Sequence, residues 1–156
     1  MSSELFSALA ESVNTTEDLR MLQKEVEAIK QSIYSTGKNG KDTVLREKVR
    51  AKVARIIEPA LDEKPEHILD ELLAELKALP IIRMNIAFQP TQSTIEKITD
   101  WLRTNTDQKW VLDLVINPDV GAGTILEVNG YYRDFSYKEK MSAAVQAATK
   151  KLMAQL

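Results

Sequence analysis

Three of the chain's five glycines, Gly121, Gly123 and Gly130, fall within ten positions of the stretch "NPDVGAGTILEVNGYYRDFS", residues 117–136. Glycines after an apolar strand suit a phosphate cradle, because backbone amides approach an anion closely where no Cβ intervenes. A dinucleotide fingerprint also needs a third glycine and a helix N-terminus to receive the pyrophosphate. "DVGAGT" lacks that glycine and runs into "TILEV", which alternates as a strand does. The loop "STGKNGKDT" compares with a P-loop, but Ser35 stands where its first glycine belongs and Asp42 where its Ser or Thr belongs. That loop also joins two helical patterns, so its amides are not aimed from a strand. His67 is the only histidine, and the spacing offers it no carboxylate as a metal-ligand companion. Asp113 and Asp119 would make a carboxylate pair, yet they fall on opposite sides of a strand end with no second acid/base group nearby. Tyr131 and Tyr132 would stack on a ligand, but cross-strand packing accounts for them as well. With zero cysteines, thiolate ligands, disulfides and cysteine nucleophiles are absent. The sequence therefore predicts no catalytic, cofactor-binding or metal-binding residue, and no enzyme.

Composition narrows the class further. The 156 residues suffice for one domain with a proper core or two small ones. Apolar residues make up 44% and charged residues 28%, which argues for a folded globular chain and against disorder. The net charge of −2 and the lack of a basic tract give no footprint for nucleic acid. No apolar run approaches the roughly 18 residues of a membrane span. "MSSELFSALAES" has no basic region ahead of its apolar residues, so no signal peptide is expected. These features predict a cytosolic protein, peripheral to a larger assembly.

The elements fall into two halves with different periods. Before Pro80 the spacing is helical: Leu19, Leu22, Val26, Ile29 and Ile33 form an a/d stripe, opened by Asn14 as cap and Glu17 three residues on. "STGKNGK" breaks that helix, Leu45, Val49, Val53 and Ile56 resume the period, and Pro65 opens a helix carrying Ile68, Leu69, Leu72, Leu73 and Leu76. An antiparallel pair within a small bundle follows; the stripe would alternatively zip onto a partner helix. After Pro80 the period is two. Ile82, Met84, Ile86 and Phe88 face one way, as do Trp110, Leu112, Leu114 and Ile116, and then Leu126 and Val128. Between the first two strands, "STIEKITDWLRT" reads as a helix with a Ser93–Glu96 capping box; residues 137–156 read as another, with Met141, Val145, Ala148 and Leu152 on one side. The expected fold is α+β: a helical bundle over residues 1–79, then a β-α-β-β-β-α mixed-sheet domain over 80–156. Arg83, Asp113 and Glu127 occupy the face opposite the apolar one, so that face is mixed and a candidate partner surface, unless it is solvated or covered by the N-terminal helices. Ala144 and Ala148 on the last helix are candidates too, because small residues permit close approach; plain helix propensity explains them equally.

The glycine stretch then resolves as turns. Asn117-Pro118-Asp119 ends a strand, Gly121 and Gly123 suit a reversal or close backbone packing, Asn129-Gly130 is the favoured type I′ hairpin pair, and Ser136 with Glu139 forms a capping box. This pattern, "VLDLVINPDVGAGTILEVNGYYRDFSYKEKM", resembles the C-terminal domain of the F-type ATP synthase delta subunit family, which includes the oligomycin-sensitivity-conferring protein. Pro118, Gly121 or Gly123, Gly130, Asp134 and Ser136 stand at the family's motif positions, and the likeness covers about half the chain, from residue 81 onward. The N-terminal half is shorter than the family's six-helix bundle. The resemblance implies a non-catalytic stator component without a cofactor, whose helical half holds the alpha (and beta) subunits of the catalytic head. Its C-terminal half would hold b-type peripheral-stalk helices, at the inner face of the cell membrane without inserting into it. The C-terminal half also looks like the E-type peripheral-stalk subunit of V/A-type ATPases, although Gly37 and Gly40 interrupt the helices too early for one long stalk helix. An unrelated protein–protein interaction module is the other reading.

Overall fold

The computed structural model describes residues 2–36, 38–61 and 65–153. Leu22, Val26 and Ile29 are fully buried and Leu19 nearly so, which places the a/d stripe inside the chain's own core and leaves no face of it for a partner helix. That stripe belongs to α2 (Thr16–Thr36), which packs against α3 (Lys38–Glu47) as an antiparallel pair and against α5 (Pro65–Lys77). The break at "STGKNGK" narrows to residue 37, itself outside the described residues, and Gly40 lies within α3. A further helix, α1 (Ser2–Ala10), contributes Leu5 and Leu9 to the same core; helical spacing from Asn14 onward did not reveal it.

The period expected to run unbroken from Leu45 to Ile56 is cut at residues 48–50, so that α4 (Ala51–Ile57) is a separate element. The cause is Glu25, only 8% exposed on α2. Its Oε1 accepts the Arg50 backbone N–H and Nε–H, both at 2.9 Å, while Oε2 accepts from the second guanidinium nitrogen at 3.0 Å. A carboxylate holding a backbone amide and a guanidinium together fixes Arg50 in an extended conformation (φ −58°, ψ 138°), where a helix cannot continue. Val49 within the break and Val53 beyond it are both buried, and within α4 Ile57 is buried and Ile56 only partly.

In the C-terminal half the order is β1 (Ile81–Ile86), α6 (Gln92–Asn105), β2 (Val111–Ile116), β3 (Thr124–Val128), β4 (Tyr131–Asp134) and α7 (Lys138–Met153). The sheet order is β2-β1-β3-β4, with β1 and β2 parallel through the α6 crossover and the other pairs antiparallel. This is the expected α+β arrangement. Ile82, Met84 and Leu112 meet Ile95 and Leu102 of α6 in a second core, with Leu114, Leu126 and Val128 packed beside it. Phe88, expected on this face, is 71% exposed because β1 ends at Ile86.

Two helix starts differ from their expected caps. At α2 the reciprocal pair is Thr15 with Asp18: Thr15 Oγ1 accepts the Asp18 N–H at 3.2 Å, and Asp18 Oδ2 accepts the Thr15 N–H at 3.0 Å. Asn14 is engaged elsewhere, its carbonyl accepting from Leu112 N–H and its Oδ1 from Arg103. At α6 the cap is Thr91, two residues before Ser93, and its Oγ1 accepts the Thr94 N–H at 3.3 Å. Pro90 precedes it and is buried, anchoring the chain immediately before the helix. Thr91→Ala is accordingly expected to cost about 1 kcal/mol, against no more than about 0.5 for Ser93→Ala, in urea denaturation. The Ser136–Glu139 box rests on the Glu139 side chain, which lies outside the described residues.

Candidate partner-binding surface

Strand register builds the site. Arg83 lies directly opposite Asp113 on the parallel side and Glu127 on the antiparallel side, and Glu127 is opposite Tyr132, so four side chains from four strands form one row. A second row holds Val115, Asn85, Ile125 and Asp134. Both rows lie on the face away from α6. Arg83 Nε donates to Asp113 Oδ2 at 2.8 Å, and its guanidinium reaches Glu127 Oε2 at 3.9 Å. The Asp113 hydrogen bond, then the charges of Asp113 and Glu127, raise the Arg83 pKa above its ordinary value, so the cation persists at every working pH. The pairs are solvent-exposed at Arg83 and contribute little stability; their effect is to fix where the charges sit.

The N-terminal helices cover only one end of this face. Val111 is buried in the helical core, Leu112 N–H donates to Asn14 O at 2.9 Å, and Thr16 Oγ1 reaches Asp113 Oδ1 at 3.4 Å. Arg103 of α6 donates to Val13 O and Asn14 Oδ1, each at 3.1 Å, and Lys109 Nζ donates to Ser7 Oγ at 3.0 Å. These contacts fasten the bundle to the β2 edge. The rest of the face stays open, with Ile81, Val115 and Tyr132 exposed. The mixed face is thus covered at the start of β2 and open at the end of β2 and at β1, β3 and β4. Tyr131 and Tyr132, expected to pack across strands, are 81% and 62% exposed, because β4 is the sheet edge and no described element lies beyond it.

The motif residues hold this edge in shape. Asn117 Oδ1 accepts the Asp119 N–H at 3.1 Å, and Pro118 opens a short 3₁₀ turn that buries Val120. Gly121 closes that turn at φ +69°. Gly123, at φ +93°, sits so close to the returning chain that an added Cβ would lie 2.3 Å from Phe135 O. Asn129 (φ 49°) and Gly130 (φ 80°) make the left-handed pair of the β3–β4 turn. Asp134 Oδ1 accepts the Ser136 N–H at 2.7 Å. Phe135 N–H donates to Thr124 O and Tyr137 N–H to Ala122 O, so the exit toward α7 is tied to the glycine loop.

The last helix does not lie on the sheet. Every described side chain of α7 is exposed, including Ala144, Ala148 and Val145. The structure therefore does not bury the alanines against the Arg83 row; Met141 and Leu152 have side chains outside the described residues. His67 is also exposed. Glu71, one turn on, comes within 3.4 Å of its Nδ1, a companion the spacing argument overlooked. Among the described residues no group of three or more His, Cys, Asp or Glu is arranged to hold a metal ion. A groove where α2 and α6 begin is lined by Glu17 and Asp18, the first-turn carboxylates that complement the dipole of α2. No helix among the described residues is long and apolar enough to cross a membrane. Among known proteins, no family model matches the chain and no curated sequence matches it.

Proposed function

We propose that the protein is a non-catalytic stator subunit of an F-type proton-translocating ATP synthase, linking the catalytic head to the b-type stalk. The observation that carries this reading is the delta-family resemblance of residues 111–141, whose strand, glycine turn, Asn-Gly hairpin and final helix stand in that order in the fold. The reading requires two separate surfaces. The helical bundle would grip the alpha (and beta) subunits, while the open sheet face and α7 would receive the stalk helices. A stator resists torque, so many contacts must act together at both ends, which tethered double binding supplies. The working location is the inner face of the cell membrane, held there by partners.

Reconstitution tests this directly. The purified chain is expected to bind both an ATP synthase head and a b-type stalk, and its depletion to leave ATP hydrolysis uncoupled from proton movement. Arg83→Glu turns the central cation of the row into a third carboxylate and is expected to weaken stalk binding about tenfold, equal to about 1.4 kcal/mol, with helix content unchanged. Failure to bind either partner would overturn the reading.

A further inference from the structure

The position of α7 poses a physical problem. A helix of 16 residues is marginal on its own in water, yet Val145 is 63% and Met153 73% exposed, and nothing described covers its length. In the structure its described side chains do not pack on its own sheet. The exit is pinned by the Phe135 and Tyr137 amides at 2.9 and 2.8 Å to the β3 side, and Gly123 leaves no free space against Phe135.

Charge identifies what would cover it. Residues 138–153 hold four lysines (138, 140, 150 and 151) against Glu139, a balance of +3; since the whole chain is −2, the remainder carries −5. The open sheet face has the opposite character from the helix. It presents Ile81, Val115, Ile125 and Tyr132 together with Asp113 and Glu127, with Arg83 as the cation among the described residues of its two rows. Dimensions match as well. At about 1.5 Å per residue the helix is roughly 24 Å long, enough to cross four strands spaced about 4.8 Å apart.

We propose that the occupant is a second copy: two chains associate reciprocally, the α7 of each lying across the open sheet face of the other. Such an exchange is self-complementary, and its two-fold symmetry doubles the area buried by one helix-on-sheet contact. That doubling matters because one such contact is small beside the roughly 1,200 Å² of a specific interface. The inference does not rest on the stator reading, since it concerns the isolated chain; a stalk partner that used the same face would compete with the second copy.

Sedimentation equilibrium of the 156-residue chain tests it. The expected result is a dimer at about 50 mM salt that loosens at about 500 mM, where screening is stronger. Glu127→Lys alone and the double variant Lys140→Glu/Lys150→Glu alone are each expected to weaken the dimer about tenfold or more, with helix content by circular dichroism unchanged. Mixing the two variants restores opposite charges at both contacts of the heterodimer and is expected to recover the association. A chain that stays monomeric at about 100 μM would overturn the proposal. So would a dimer indifferent to both charge reversals, a failure of the mixture to recover, or association only with an added acidic protein.

Discussion

Gly123→Ala is expected to destabilise the protein by about 3 kcal/mol, the sum of about 1–3 for overpacking and about 1–2 for a left-handed backbone. An added methyl would meet Phe135 O at 2.3 Å and Ser136 Cα at 2.9 Å, both main-chain atoms that cannot swing aside as a side chain would. In a domain of this size the loss corresponds to about 6–12 °C in melting temperature. Gly121→Ala is the control. Its φ of +69° is also unfavourable, but nothing lies within 4 Å of the new Cβ, so the cost is backbone strain alone, about 1–2 kcal/mol. Urea denaturation should rank the two in that order, and hydrogen exchange should quicken at the Phe135 and Tyr137 amides in the Gly123 variant only. Equal costs would mean that the close approach does not hold the exit of α7.

Removing the Glu25 carboxylate is the second large effect. Glu25→Ala leaves the Arg50 amide and guanidinium without their acceptor, with an expected loss of about 2–4 kcal/mol. Arg50 itself is 37% exposed, so water recovers part of the guanidinium's hydrogen bonding and keeps the loss below that of a fully buried pair. Hydrogen bonding to Glu25 also raises the Arg50 pKa, consistent with a cation held by its acceptor. Arg50→Lys keeps the charge but loses the planar fork, and is expected to fall between wild type and Glu25→Ala. A loss under about 1 kcal/mol for Glu25→Ala would show that the break between α3 and α4 does not depend on this clamp.

Much of the fold is legible where a local signal is complete in itself. Leu19 to Ile29 repeat at helical spacing, Pro65 sits at a first helical turn, Asn129-Gly130 calls for positive φ, and each appears in the structure as its chemistry requires. Caps are less legible, because one side chain has several claimants. Asn14 looks like the cap of α2, but a distant strand amide and Arg103 engage it, and Thr15 takes the role. The Glu25–Arg50 clamp spans 25 positions and follows no period, so no local pattern announces it. Likewise Phe88 continues the alternation of β1 in sequence, although the strand's ladder stops before it.

For the candidate surface, alternation alone put Arg83, Asp113 and Glu127 on one sheet face, because successive side chains in a strand point to opposite sides. Sequence also determined the α+β class, the β-α-β-β-β-α order and the absence of any cysteine chemistry. Only the tertiary structure decided that these three charges share one row, since that depends on strand register. It alone decided that the bundle covers the β2 end of the face, because the contacts of Asn14, Arg103 and Lys109 are long-range. And it alone decided that α7 stands off the sheet: apolar spacing says a helix has a face to bury, but the direction of its exit is set by hydrogen bonds between Phe135–Tyr137 and the glycine loop, contacts between segments whose meeting no local spacing encodes.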